Sequence, residues 1–170
     1  MNSKALHILL LAILSCTIGC KEVGSEKVKE ASTPTPTFEQ EKTAILATIN
    51  NETKAAFSRD YEGWKDKWVH EPFVTKTYMQ LTDSSSSETL GWDEVDRFVR
   101  EYFIAHPEPD PIPALLEDIG VRLYGTGAWV SFEQEDPARG LKRETRLMEK
   151  VEGQWKIAGM HTTIYGFKED

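Results

Sequence analysis

The chain is predicted to be an α+β protein, on three observations. Between Phe38 and Ala105 apolar residues recur three or four apart in three segments, the spacing of one helix face. After Pro113 the spacing changes to two and holds through four successive segments, as in strands covered on one side. Both cysteines, Cys16 and Cys20, lie near the N-terminus, so neither a disulfide nor a thiolate metal centre ties the remainder together. Helices followed by an antiparallel meander make an α+β layout, in which a curved sheet wraps the helices and leaves a cone-shaped cavity.

The first segment is an address. Met1–Lys4 is polar with one positive charge, and Ala5–Leu14 is apolar apart from His7. A ten-residue, largely apolar run is too short to cross a bilayer core of about 30 Å, but it suits the apolar region of a secretory leader. Ser15-Cys16-Thr17-Ile18-Gly19-Cys20 follows. A small residue directly before a cysteine resembles the lipobox of bacterial lipoproteins, in which that cysteine is acylated and becomes the new N-terminus. Of the two, Cys20 is favoured, because Lys21-Glu22 after it resembles the start of the surface-export signal of Bacteroidetes-type lipoproteins. Residues 1–19 are then the leader, and two or three acyl chains give a stable anchor. The expected address is the bacterial cell envelope, lipid-anchored at the outer membrane.

Residues 20–37 read as a tether: charged, then rich in Ser, Thr and Pro up to Thr33-Pro34-Thr35-Pro36-Thr37, with no apolar period. A single domain occupies 38–170, long enough for one sizeable core. The whole chain carries 20 basic and 28 acidic residues, a net charge of −8. Such a balance excludes nucleic acid as the main partner, since phosphate binding needs a concentrated basic face. Without a polybasic segment, lipid alone must hold the protein to the membrane.

Within the domain, Thr37-Phe38-Glu39-Gln40 has capping-box spacing. Ile45, Leu46, Ile49, Ala56 and Phe57 then predict a long helix to about Ser58. Asp60 caps a short second helix bearing Tyr61, Trp64 and Trp68, which His70-Glu71-Pro72 ends. Phe73–Leu81, rich in β-branched and aromatic residues, is predicted to be a strand, and Asp83–Thr89, with four serines, a loop. Val95, Phe98, Val99, Tyr102 and Phe103 mark a third helix over 92–105. His106–Pro113 holds four of the eight prolines and must be extended. Strands are predicted at 115–124, 128–135, 141–151 and 154–167, with Glu152-Gly153 as a type I′ hairpin turn.

Several of these residues resemble a known superfamily. Glu144-Thr145-Arg146-Leu147, Gly153-x-Trp155-x-Ile157 and His161 resemble the last hairpin of NTF2-like proteins, especially the SnoaL-like members and the association domain of calmodulin-dependent kinase II. Asp60-Tyr61-Glu62-Gly63-Trp64 is similar to their second-helix segment. The resemblance spans about 38–167. It implies a cone of three N-terminal helices packed on a curved antiparallel sheet, a pocket between them, and dimerisation through the sheet's outer face. It does not select an activity, because this fold serves isomerases, cyclases, dehydratases, binding proteins and assembly modules.

The hairpin supplies the candidate chemistry. With Glu152-Gly153 as the turn, Val151 pairs with Gln154, Met148 with Ile157, Arg146 with Gly159 and Glu144 with His161. Glu144, Arg146 and His161 are then expected on one face. A carboxylate beside an imidazole suits acid–base catalysis, and an arginine beside both suits a carboxylate ligand. Arg146 also matches an arginine of the association-domain pocket, although Ser131 and Thr162 stand where that pocket has further arginines. Trp64, Trp68 and Tyr78 are candidate pocket walls, or core residues. His7, His70, His106 and His161 lack metal-ligand spacing, and no phosphate-binding, dinucleotide or nucleophile-elbow motif is present, so no metal or cofactor is expected.

Three readings remain open from sequence: a lipid-anchored domain holding a small ligand or peptide in its cone, an isomerase-, cyclase- or hydrolase-like enzyme using His161 with Glu144 and Arg146 to stabilise a developing oxyanion, and a dimerisation module.

Overall fold

The computed structural model describes residues 35–167; the leader, Cys16, Cys20 and most of the tether lie outside the described residues. Helix α1 (Phe38–Phe57) opens on the predicted capping box: Gln40 N–H donates to Thr37 Oγ1, and Thr37 N–H to Gln40 Oε1. Helix α2 (Tyr61–Lys65) is capped by Asp60, whose carboxylate accepts from Gly63 N–H. Strands β1 (Thr75–Gln80) and β2 (Ser85–Leu90) form a hairpin, and α3 (Trp92–Ala105) follows it. After an extended stretch come β3 (Gly120–Tyr124), β4 (Gly127–Asp136), β5 (Gly140–Val151) and β6 (Gln154–Gly166).

The six strands form one curved sheet in the order β2-β1-β6-β5-β4-β3. All neighbours are antiparallel except β1 and β6, which run parallel. Among the described residues only α1 and α2 precede the sheet; α3 lies between β2 and β3, which corrects the expectation of three N-terminal helices. The core joins Ile45 and Ile49 of α1, Trp64 and Trp68, and Val95 and Val99 of α3 to the inward residues Val130, Phe132, Met148, Ile157 and Met160. Glu41 fastens α1 to the last hairpin, accepting from Lys150 Nζ at 2.5 Å and Trp155 Nε1 at 2.7 Å. Among the described residues no helix is long and apolar enough to cross a membrane.

Four local expectations change. The second helix ends at Lys65, short of Trp68, which instead forms an isolated parallel bridge with Ile157. Most of the loop expected at Asp83–Thr89 belongs to the edge strand β2, whose serines show no period because most of its side chains are exposed on both faces. Strand β3 begins at Gly120, not Leu115, because the Asn50 side chain takes up both backbone groups of Leu116, at 2.9 and 3.0 Å. The last hairpin starts as expected. Glu152 and Gly153 adopt φ of 51° and 82°, as a type I′ turn needs, and Val151 pairs with Gln154 and Met148 with Ile157. Beyond that pair a β-bulge inserts Ala158, so that Gly159 faces Leu147, Met160 faces Arg146, and His161 faces Thr145.

Candidate functional site

Successive strand residues point to opposite faces, so one inserted residue turns every side chain after it over. The bulge therefore places Met160, Thr162 and Ile164 on the concave face and His161 on the convex one, where it is exposed. Its ring contacts Thr75 Oγ1 at 3.4 Å. The expected cluster of Glu144, Arg146 and His161 does not assemble: the first two face inward, the third outward.

Glu144 and Arg146, each 3% exposed, belong instead to a buried chain of charges. Lys142 Nζ donates to Glu144 Oε1 at 2.6 Å, and Arg146 Nε to Glu144 Oε2 at 2.8 Å. Arg146 Nη2 reaches Glu52 Oε2 on α1 at 3.3 Å. Glu52 Oε1 in turn accepts from the indoles of Trp64, at 3.0 Å, and Trp68, at 3.3 Å. Burial pushes the Glu144 carboxyl up, but Arg146 and Lys142 outweigh it and hold the pKa at about 2. Glu144 therefore stays ionised at neutral pH with both oxygens occupied, an arrangement that orders the sheet floor and is unsuited to moving protons. Two buried atoms of this floor, Arg146 Nη1 and Thr162 Oγ1, have no hydrogen-bond partner among the described residues.

Above the floor a cavity of about 330 Å³ opens between α1, α3 and the β1–β2 hairpin. Its wall is apolar and aromatic, including Phe57, Trp64, Phe98, Val99, Phe103 and Ile164. Lys76, Tyr78, Gln80 and Arg139 supply polar groups from the sheet side. Of the residues singled out in the sequence, Trp64 and Tyr78 line this cavity. Trp68 and Arg146 do not: the Trp68 indole packs behind it in the core, and the Arg146 guanidinium is engaged by Glu144 and Glu52.

Sequence reasoning missed Lys76, Arg139 and Glu52. Lys76 lies two residues before Tyr78 on one strand, so the two share a face. Glu52 continues the α1 stripe of Ile45 and Ile49 at helical spacing, a signal that its charge concealed. Arg139 sits in the turn between β4 and β5, where no period exists; it is fixed by Asp136, which accepts from its Nε and Nη2 at 3.0 and 2.7 Å. Among the described residues no cluster of three His, Cys, Asp or Glu is placed to hold a metal ion.

The rim of the cavity is closed by the extended segment after α3. Arg59, at φ 63°, donates through Nε to His106 O at 2.7 Å, through Nη1 to Ala56 O at 3.0 Å and through Nη2 to Asp110 Oδ2 at 2.7 Å. Asp110 N–H also donates to Phe57 O at 3.0 Å. One arginine thus clamps the segment onto the end of α1.

A family model described as a SnoaL-like domain matches residues 45–165. Solved structures share the fold at low identity. A cystatin-like fold protein of Burkholderia xenovorans is 18% identical, with a TM-score of 0.57 over 74% of this chain and 92% of the other. An NTF2-like protein of Pseudomonas putida is 15% identical, with a TM-score of 0.58 over 75% and 89%. An NTF2-like protein of Streptomyces avermitilis, described as a putative dehydratase, is 15% identical, with a TM-score of 0.56 over 75% and 98%. No curated protein matches the chain.

Proposed function

The chain belongs to the SnoaL-like domain family, and from that premise we propose that it is a lipid-anchored binding domain whose cone takes up a small amphipathic ligand without transforming it. The observation that carries this reading is the cavity of about 330 Å³, walled by aromatic and aliphatic side chains with a few polar groups on one side. Sites for small molecules have this composition: apolar walls supply most of the affinity, and a few placed polar groups orient the ligand.

Two features favour binding over acid–base chemistry. Glu144 is ionised and fully paired, and His161 lies on the far face of the sheet. Neither touches the cavity, so the proposed His161–Glu144 mechanism has no assembled pair to act through. Membrane attachment rests on the lipobox-like segment ending at Cys20.

Thermal-shift screening of the full chain against small amphipathic molecules tests the reading. Binders are expected to raise the melting temperature of the wild type and not of Ala56→Phe, whose ring would occupy the cavity from α1. Equal shifts in both proteins would place binding elsewhere and refute the proposal.

A further inference from the structure

Lys76 is only 6% exposed, yet no carboxylate among the described residues lies within ion-pair distance of it. Its ammonium lies 5.2 Å from the ring centroids of Trp68 and Tyr78, and 3.7 Å from Met160 Sδ. Rings and a thioether are weak partners for a buried cation, which ordinarily demands a paired anion. The other cations of the concave side and the cavity rim are matched: Arg59 by Asp110, Arg139 by Asp136, and Lys142 and Arg146 by Glu144 and Glu52. Among the described residues five cations thus face four carboxylates, and the unmatched one lines the cavity.

We propose that the cone selects amphipathic monocarboxylates, with the carboxylate against Lys76 and the apolar body along Trp64, Phe98, Val99 and Ile164. One charge is missing from the concave side, so a single negative charge completes it. A dianion would leave a buried surplus, and a cation would add to the existing one. Tyr78 lies beside Lys76, where its hydroxyl suits a carboxylate oxygen, and Arg139 stands closer to the opening, its guanidinium 5.9 Å from the Tyr78 ring. This inference rests on the cavity being a ligand site, and its test separates the two.

Calorimetric titration of the full chain in phospholipid nanodiscs, with empty nanodiscs as the blank, would compare 4-phenylbutyrate, 4-phenylbutan-1-ol and 4-phenylbutylamine. These probes share a body and differ only in head-group charge. The acid is expected to bind at least about tenfold more tightly than the alcohol, as suits a charge-assisted hydrogen bond, and the amine most weakly. Lys76→Met is expected to remove the preference for the acid while retaining the alcohol. Acid and alcohol binding equally to the wild type would overturn the charge assignment and leave the pocket standing; no probe binding would overturn both. The wild-type comparison holds even if the variant fails to fold.

Discussion

At the scale of single residues, the concave side is governed by which charged groups are satisfied. Glu144 is held low, at about 2 against an ordinary value of 4.5, because Arg146 and Lys142 favour its ionised form more than burial disfavours it. Its contribution to stability is therefore complete above about pH 4.5 and declines as pH falls towards 2. Glu144→Gln is expected to cost about 3–5 kcal/mol at neutral pH, since it strands the buried Lys142 and leaves Arg146 with Glu52 alone. It should also remove this part of the acid sensitivity; urea melts at pH 7 and pH 3 check both. His161→Ala, by contrast, is expected to stay within about 0.5 kcal/mol of wild type and to leave ligand affinity unchanged. A ligand-affinity loss of tenfold or more would show that His161 reaches the cavity after all.

At the scale of elements, helix and strand order was legible because burial leaves a period. The capping box, the α1 and α3 stripes and the type I′ turn all follow from local chemistry. What escaped was set by contacts made outside the segment itself. Strand β2 is specified by pairing with β1, not by its own serines, and the start of β3 by Asn50, 66 positions away. The bulge at Ala158 leaves no sign in a stretch where either register gives an acceptable pattern, yet it decided the candidate site. A straight ladder would have paired His161 with Glu144. Arg59→Ala removes three hydrogen bonds, one to a carboxylate, and is expected to cost about 1–3 kcal/mol. Amide exchange over 106–113 should accelerate more than in α1, and unchanged exchange there would show that the segment is held by packing alone.

At the scale of the molecule, the concave side encloses the cavity and the convex side exposes large apolar residues. Tyr124, Trp129 and Leu147 stand outward from β3, β4 and β5, and Met79 and Tyr165 from β1 and β6. We propose that this face pairs two copies of the chain, as the family resemblance implies; Trp129→Glu is then expected to halve the mass measured by light scattering. Anchoring is a separate proposal, with its own outcome: Cys20→Ala should abolish incorporation of labelled palmitate, whereas Cys16→Ala should not.

The central claim is that ligand enters the cone and not another surface. Trp64 lines the cavity and Trp129 lies on the convex face, so their indole N–H resonances report the two sides independently. Titration with 4-phenylbutyrate is predicted to shift the Trp64 signal saturably and leave that of Trp129 in place. A saturable shift of Trp129 with Trp64 unmoved would contradict the account.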